Sequence, residues 1–457
     1  MTDQLERGRI VPNPAAGHVR STPSASIARP SRPQQHSHPA ELRINLGQNE
    51  AGNHAVSALP EHLLGRHCAV VGATGGGKSW TLGRIIEEIS QFRSKVVLFD
   101  AAGEFGALDN GVTHLSVGVA SSENEKAVSV PYYHLRESDL FAIFKPSGPS
   151  QGPKFRAAIH SLKLALLAPI LSADGTILKA HRSKVEFERE RARFISQIES
   201  PYNEFDIRHL PQQIQNECID PQRSPTEPMV WGSPNGLDLS YCVPLVNRIQ
   251  DMVHSPNLEA IFKPRRLPSI FDEVPAFLDD PDSKVLRISL KHLPFEHNTR
   301  EILGNSIARH LLELARASRF LKQPLLIVLD EAHQFLSKAL RDNENFPLDA
   351  FGLIAKEGRK YALNILLSTQ RPRDIPDDVL SQMGVFLIHR MTNDYDLSVV
   401  ERASGVISRE VMLKVPTLLP GHAVMVGVSI DEPIVLKVNP PKNRPDSRGP
   451  DFQNCWR

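Results

Sequence analysis

The stretch CAVVGATGGGKS (68–79) decides the fold, because it joins an apolar run to a glycine-rich turn that opens a helical pattern at 80–89. Within it, residues 72–79 match GxxxxGK[ST] in full. Glycines let successive backbone N–H groups point inward around an anion, and the following helix N-terminus adds favourable partial charge. With a strand before it and a helix after it, the motif indicates a phosphate-binding P-loop rather than an incidental glycine turn.

The P-loop predicts an ATP site with defined roles for its last residues. We expect Lys78 to reach the β- and γ-phosphates and the Ser79 hydroxyl to bind Mg²⁺. The expected nucleotide-binding residues are Gly72, Ala73, Thr74, Gly75, Gly76, Gly77, Lys78, Ser79 and Trp80.

A second motif supplies acidic groups. The run PLLIVLD (324–330) is an apolar strand ending in Asp330, with Glu331 directly after it. We expect Asp330 to serve the magnesium site through water and Glu331 to orient the attacking water as catalytic base. An acidic helix start would explain either carboxylate alone, but it explains the pair poorly. Gln370, after the run NILLST (364–369), is a candidate sensor of the γ-phosphate, with a plain turn as the alternative.

Apolar runs alternate with helical patterns from 67 to 438, which is typical of an α/β fold with a mainly parallel sheet. Nearly all-apolar runs indicate strands buried on both faces. The predicted strands are CAVVGA (68–73), KVVLFD (95–100), PLLIVLD (324–330), NILLST (364–369) and VFLIH (385–389). Two further runs, 422–428 and 433–438, predict a hairpin at the sheet edge.

The gap between the second and third predicted strands is too long for a loop and predicts an inserted, mostly helical subdomain. The predicted organisation is a Pro/Arg-rich mobile tail at 1–40, a short lead segment without a full barrel at 41–65, an ATPase core at 66–119 and 320–440, the insertion at 120–319, and an extended tail at 441–457.

Composition limits the class of protein. Lys and Arg number 53 against 52 Asp and Glu, so the chain is not a globally basic nucleic-acid binder, although a basic patch remains compatible. Four cysteines without CxxC spacing argue against a disulfide framework and a zinc site. The start MTDQLERGRI lacks a signal-peptide core, and no apolar run is long enough to span a bilayer. We expect a cytoplasmic protein without membrane contact.

Together these motifs resemble the HerA–FtsK branch of RecA-like ring ATPases, and HerA-like proteins most. The matching segments are GATGGGKS, FDAAGEF (99–105), IVLDEAHQFL (327–336), AKEGRKYALNILLSTQRPRDIP (355–376) and VLSQMG (379–384). The resemblance covers about 65–140 and 285–440. The ordered set with EGRK and STQRP is more specific than the P-loop alone.

The resemblance implies a RecA-like P-loop core that assembles into a homohexamer, with double-stranded DNA passing through the ring and a nuclease or other effector as partner. It implies catalytic arginines at Arg66, which we assign to the neighbour's site, and at Arg359, which we assign to a cis or sensor role. Either could instead be an ordinary surface arginine. Glu104 matches an acid of the family and would assist water or metal, or cap a helix.

Departures from the family leave alternatives open. HerA-type proteins commonly begin with a β-barrel that recruits a nuclease, and the short lead segment does not fit a full barrel. A second hypothesis is therefore a hexameric scaffold that positions an effector with little translocation. A secretion or conjugation pump is a third reading, weakened by the lack of a membrane segment. The DEAH sequence at 330–333 mimics a helicase class with two RecA-like domains, and too few residues follow it for a second one.

Overall fold

The computed structural model describes residues 41–456 except 51, 53, 295, 342–347, 406 and 447–451. The tail predicted at 1–40 therefore lies outside the described residues.

Twelve strands of the described chain form a single sheet. In chain order they are β1 Ile44–Asn49, β2 Ala55–Ala58, β3 Cys68–Val71, β4 Lys95–Asp100, β5 Val112–Val117, β6 Glu125–Val128, β7 Val285–Ser289, β8 Leu325–Leu329, β9 Leu363–Thr369, β10 Val385–Ile388, β11 His422–Gly427 and β12 Ile434–Val438.

The strand order is β2-β1-β12-β11-β10-β3-β9-β8-β4-β7-β5-β6. All neighbours from β10 to β6 run parallel. The pairs from β10 through β11, β12 and β1 to β2 are antiparallel. The prediction of a mainly parallel α/β sheet is confirmed. The predicted hairpin of β11 and β12 forms, but β1 and β2 extend the sheet beyond it, so it is not the edge.

The described residues contain seventeen α-helices. They are α1 Pro60–Leu63, α2 Lys78–Ser90, α3 Glu137–Phe144, α4 Gly148–Leu167, α5 Lys184–Arg193, α6 Ile195–Glu199, α7 Leu210–Glu217, α8 Gly236–His254, α9 Glu259–Phe262, α10 Ile270–Asp279, α11 Thr299–Arg316, α12 Lys338–Arg341, α13 Ala350–Glu357, α14 Asp377–Leu380, α15 Asp394–Ser404, α16 Arg409–Lys414 and α17 Phe452–Cys455. No helix in this part of the chain is both long and apolar enough to cross a bilayer.

The sheet separates two apolar cores because strand residues alternate between its faces. On β4, Val96 and Leu98 pack with one core, while Val97 and Phe99 pack with the other. Helix α2 fills the first core with Leu82, Ile85, Ile86 and Ile89. Helices α11 and α13 contribute to the second core. We call the first side of the sheet the α2 face.

The predicted boundaries of the insertion need correction. Helices α3–α10 lie within the predicted range 120–319, but so do β6 and β7, which belong to the sheet, and α11, which packs in the core. Strand β7 lies between β4 and β5 and pairs in parallel with both. The lead segment at 41–65 also joins the core, since it forms β1 and β2.

Candidate functional site

The predicted site residues converge because their strands are close neighbours in a parallel sheet. The P-loop follows β3, Gln370 follows β9, and Asp330 and Glu331 follow β8. In the sheet, β9 lies between β3 and β8. The carboxyl ends of parallel strands meet at one edge, which is where open α/β sheets bind ligands. The structure therefore brings these predicted residues to a common edge, which we call the P-loop edge.

The P-loop needs glycine at particular positions. Gly75 and Gly77 have φ of +74° and +114°, a region that side chains rarely adopt. At Gly72 a Cβ atom would lie 2.6 Å from the Cβ of His389, so a side chain there would collide with this residue, which directly follows β10. Lys78 Nζ donates to the Ala73 carbonyl at 3.2 Å, which folds the lysine back over the loop. This curled loop has the shape expected of a phosphate cradle.

A histidine that sequence reasoning missed anchors the P-loop helix to the sheet. His389 is fully buried; its Nε2 lies 2.9 Å from Thr81 Oγ1, and its Nδ1 lies 2.8 Å from the His422 carbonyl. Because the carbonyl can only accept, Nδ1 carries the proton and Nε2 accepts from the threonine hydroxyl. Burial, and then the nearby Lys78 charge, lower the pKa of His389 to about 4. The ring is therefore neutral at physiological pH.

Lys78 shares its environment with three carboxylates. Burial lowers the pKa of Lys78, and the charges of Glu331, Asp330 and Glu104 act in the opposite direction. Burial raises the pKa of Asp330 well above its usual range, reinforced by Asp100, Glu104 and Glu331. A site with this excess of buried negative charge favours a bound cation.

The oxygens of this cluster fit magnesium. Glu104 Oε2, Asp330 Oδ2 and Glu331 Oε2 are buried without hydrogen-bond partners. Burial raises the pKa of Glu104, and the nearby Ser79 hydroxyl acts in the opposite direction. Among the described residues, no three His, Cys, Asp or Glu side chains are arranged to hold a metal on their own. Proteins bind Mg²⁺ through one or two carboxylates together with water and phosphate oxygens, so this site needs no complete set of protein ligands.

Glu331 has an unusual backbone conformation. Its φ of +49° lies in the left-handed region, which costs of order 1–3 kcal/mol for a non-glycine residue. Its Oε2 lies 3.3 Å from His333 Nδ1, and the same nitrogen lies 3.3 Å from Thr369 Oγ1. The surrounding contacts hold the carboxylate at the end of β8, directly beside the end of β9.

Gln370 contacts the P-loop directly. Its Oε1 accepts a hydrogen bond of 2.5 Å from Thr74 Oγ1. The residue thus lies beside the loop expected to hold the phosphates, which is the position a γ-phosphate sensor requires. The contact also accounts for the side chain without any nucleotide, so the sensor role remains a proposal.

The two predicted arginines lie at the opposite edge of the sheet. Arg66 precedes β3 and Arg359 precedes β9, and both line a cleft of about 490 Å³. Strand β9 has seven residues, so at about 3.3 Å per residue roughly 20 Å separate its two ends. The cis role assigned to Arg359 does not agree with this placement, because Arg359 and Gln370 stand at opposite ends of β9. Both arginines lie at the end of the strands opposite their own chain's P-loop.

The C-terminal segment, predicted as an extended tail, packs along α2 of its own chain. Its backbone N–H groups at Lys442 and Asn443 donate to the Glu87 carboxylate at 2.9 and 2.7 Å. The guanidinium of Arg444 lies 5.4 Å from the ring centroid of Trp80. This segment therefore covers the residue that follows the P-loop, while residues 447–451 are outside the description.

Comparison with known proteins places these features in context. Residues 44–215 match the family model described as "Helicase HerA, central domain". The DNA double-strand break repair helicase HerA of Pyrococcus furiosus is 30% identical over 198 residues, which are 41% of this chain and 35% of that protein. The HerA of Saccharolobus solfataricus is 22% identical over 412 residues, covering 89% of this chain and 70% of the relative. The chain thus spans about a third of the first relative's length.

A solved structure has the same fold at low sequence identity. VirB4 of Thermoanaerobacter pseudethanolicus aligns with a TM-score of 0.53 and 12% identity, over 87% of this chain and 96% of that one. At this identity the likeness concerns the fold alone.

Proposed function

The chain is a HerA-like P-loop protein, as its motifs predicted, and on that premise we propose that it hydrolyses ATP to drive movement on DNA. The observation that carries this proposal is the meeting of Lys78 with Asp330 and Glu331, which come from distant segments, at one edge of the sheet. These are the groups that phosphoryl transfer to water needs: a cation on the phosphates, an acid near the metal, and a base.

Each residue of the site would have a role that follows from its position. The P-loop N–H groups and Lys78 would hold the phosphates, while Ser79 and Asp330 would hold Mg²⁺, which supplies positive charge against the phosphate oxygens. Glu331 would orient the attacking water, because it is a carboxylate that directly follows β8 at the P-loop edge. Gln370, which accepts a hydrogen bond from Thr74 of the P-loop, would contact the γ-phosphate and couple its presence to the position of β9.

An assembly of identical subunits would complete the site. Arg66 and Arg359 line a cleft at the edge opposite the P-loop, so they could reach a triphosphate held by a neighbouring copy but not their own. Head-to-tail contacts that close into a ring present one edge of each subunit to the other edge of the next. An arginine supplied in trans is typically worth about 10³–10⁵ in rate. We therefore propose a homohexamer with both arginines acting in trans.

The substrate we propose is double-stranded DNA held in the ring, in DNA processing or defence, with a nuclease or other effector as partner. The relatives named above are DNA double-strand break repair helicases, which supports DNA as the polymer. The near balance of 53 basic and 52 acidic residues favours keeping the ring scaffold as a second candidate. A scaffold would hydrolyse ATP to regulate its partner with little movement on DNA.

A titration of ATPase rate with duplex DNA tests the proposal. A motor predicts a rate that rises with DNA, together with a DNA affinity that falls steeply as salt is increased, because phosphate contacts release counterions. Glu331→Gln is the matched control, since it should bind DNA without turnover. A rate indifferent to DNA but raised by a copurifying protein would favour the scaffold. No ATP turnover under any condition would contradict both.

A further inference from the structure

A buried arginine lies in the middle of β7, a strand otherwise made of apolar and small residues. The side chain of Arg287 is 2% exposed, and it is among the largest fully buried side chains described. Arginine stays charged in proteins, and burying a charge costs several kcal/mol unless carboxylates and hydrogen bonds compensate. The position therefore depends on specific partners.

Those partners come from the register of the sheet. His114 on β5 lies opposite Arg287, and Glu125 on β6 lies opposite His114. Arg287 Nη1 donates to Glu125 Oε1 at 2.6 Å and lies 3.4 Å from His114 Nδ1. On the other side, Arg287 Nε donates to Asp100 Oδ2 at 2.7 Å. Although burial opposes it, hydrogen bonding to Arg287 holds the pKa of Glu125 below its usual value. The Arg287 guanidinium on β7 thus contacts side chains from β4, β5 and β6.

The partner carboxylate, Asp100, shapes the turn after β4. Its Oδ1 accepts the N–H groups of Gly103 and Glu104 at 2.7 and 3.0 Å, and its Oδ2 accepts the Phe105 N–H at 3.0 Å. With Arg287, four donors converge on this one side chain. The turn at 101–105 is therefore fixed from inside the sheet, and Arg287 is the only charged donor among the four.

The fixed turn presents Glu104 to the P-loop edge. Glu104 lies at the same edge of the sheet as Asp330 and Glu331, because strand β4, which the turn follows, is the neighbour of β8. Its Oε2 is buried without a partner. An acceptor left free beside the proposed magnesium position is the group that a hydrated cation would satisfy.

We propose that Arg287 is a positioning residue for the nucleotide site, acting through Asp100 and the turn 101–105 to hold Glu104 as a further carboxylate facing the hydrated magnesium ion. This inference rests on the proposed function of the P-loop edge. Arg287 itself touches neither nucleotide nor metal. Its effect reaches the site only through the place and direction of the Glu104 carboxylate.

The test is the magnesium dependence of nucleotide affinity. The dissociation constant of a non-hydrolysable ATP analogue is measured with MgCl₂ and with EDTA, by calorimetry on the full chain. Arg287→Lys keeps the charge but loses the planar fork that joins Asp100 to Glu125. We expect it to weaken binding about tenfold or more with magnesium, the size of a lost charged hydrogen bond, and to leave binding in EDTA unchanged.

Two companion variants separate positioning from stability. Glu104→Gln leaves the buried network intact, so it should reproduce the magnesium-specific loss without lowering the melting temperature. The double variant should equal Glu104→Gln alone, because Arg287 acts through that carboxylate. Arg309→Met, which breaks another largely buried pair at 2.7 and 2.9 Å to Asp139 in the inserted helices, is the matched control. It should lower stability but not alter the magnesium dependence.

The outcomes are distinguishable. If the wild-type protein fails to bind the analogue, the proposed function fails and this inference with it. If the wild type binds but Arg287→Lys shows an unchanged magnesium dependence, or losses that add to those of Glu104→Gln, the inference alone is overturned. Should Arg287→Lys not fold, an unchanged magnesium dependence in Glu104→Gln overturns it equally, and a tenfold magnesium-specific loss there supports it.

Discussion

Lowering the pH from 7 to 5 should destabilise the fold through the histidine that anchors the P-loop helix. His389 is fully buried between the Thr81 hydroxyl and the His422 carbonyl, and its pKa is lowered from 6.5 to about 4. A protonated ring would place a second positive charge near Lys78 and lose the acceptor that Thr81 uses. The folded protein therefore resists protonation, while the unfolded chain does not.

The sign and size follow from proton linkage. Above pH 6.5 both states are neutral at this position, so stability is complete there. As the pH falls from 6.5 towards 4, only the unfolded state gains the proton, and stability is lost. At pH 5 the difference amounts to about 1.5 pH units at about 1.36 kcal/mol each, or about 2 kcal/mol. Carboxylates such as Asp330, whose pKa is raised, act in the opposite direction, so a variant is needed to isolate the histidine.

His389→Asn provides that variant, because its amide N–H can still donate to the His422 carbonyl but does not titrate. Urea unfolding at pH 7 and pH 5, followed by tryptophan fluorescence, gives the apparent free energy of unfolding for each protein. The variant should lose about 2 kcal/mol less than the wild type between the two pH values. The exposed His254→Asn is the control and should match the wild type. An identical pH dependence in His389→Asn and wild type would show that His389 does not cause the loss of stability.

Three further predictions concern the site and its surroundings. If Arg66 acts on a neighbour, mixing inactive Arg66→Ala with inactive Lys78→Ala subunits should restore part of the ATPase activity; no recovery in well-mixed assemblies would count against the trans role. Gln370→Ala should lower turnover by about tenfold or more with little change in nucleotide affinity, measured as kcat against KM, and an equal loss in both would show a binding role instead. Arg444→Ala should raise the rate of proteinase K cleavage in the C-terminal segment about two- to fivefold, the size of one exposed cation–π contact; an unaltered cleavage rate would show that the contact is not formed in solution.

Much of the fold was predictable because its strands are buried on both faces. KVVLFD coincides with β4, the runs at 324–330 and 385–389 contain β8 and β10, and the run at 364–369 begins one residue inside β9. In such strands nearly every residue is apolar, so the pattern is visible without alternation. The P-loop was equally visible, since its glycines, lysine and serine are required by backbone geometry and chemistry in one continuous stretch.

Other features were hidden because their cause is not local. Arg287 lies at the centre of β7 and interrupts its apolar run. The carboxylate partner Asp100 lies on β4, which is close in the sheet but far away in the sequence. A signal existed in KVLRISL (284–290), where apolar residues alternate around the arginine. His389 was missed because nothing in VFLIH tells a buried hydrogen-bonded histidine from a strand end. Arg359 and Gln370 lie on either side of the run 364–369, so the sequence already separates them by a strand; the cis or sensor role of Arg359 came from the resemblance alone.

The most direct measurement of the central claim compares nucleotide binding with turnover in wild type, Lys78→Ala and Glu331→Gln. If the P-loop and the end of β8 form one site, Lys78→Ala should lose binding of ATP, while Glu331→Gln should bind within about twofold of wild type yet turn over about 10²–10⁴ times more slowly. Substantial turnover in Glu331→Gln, or unchanged binding in Lys78→Ala, would contradict a site shared by these two segments.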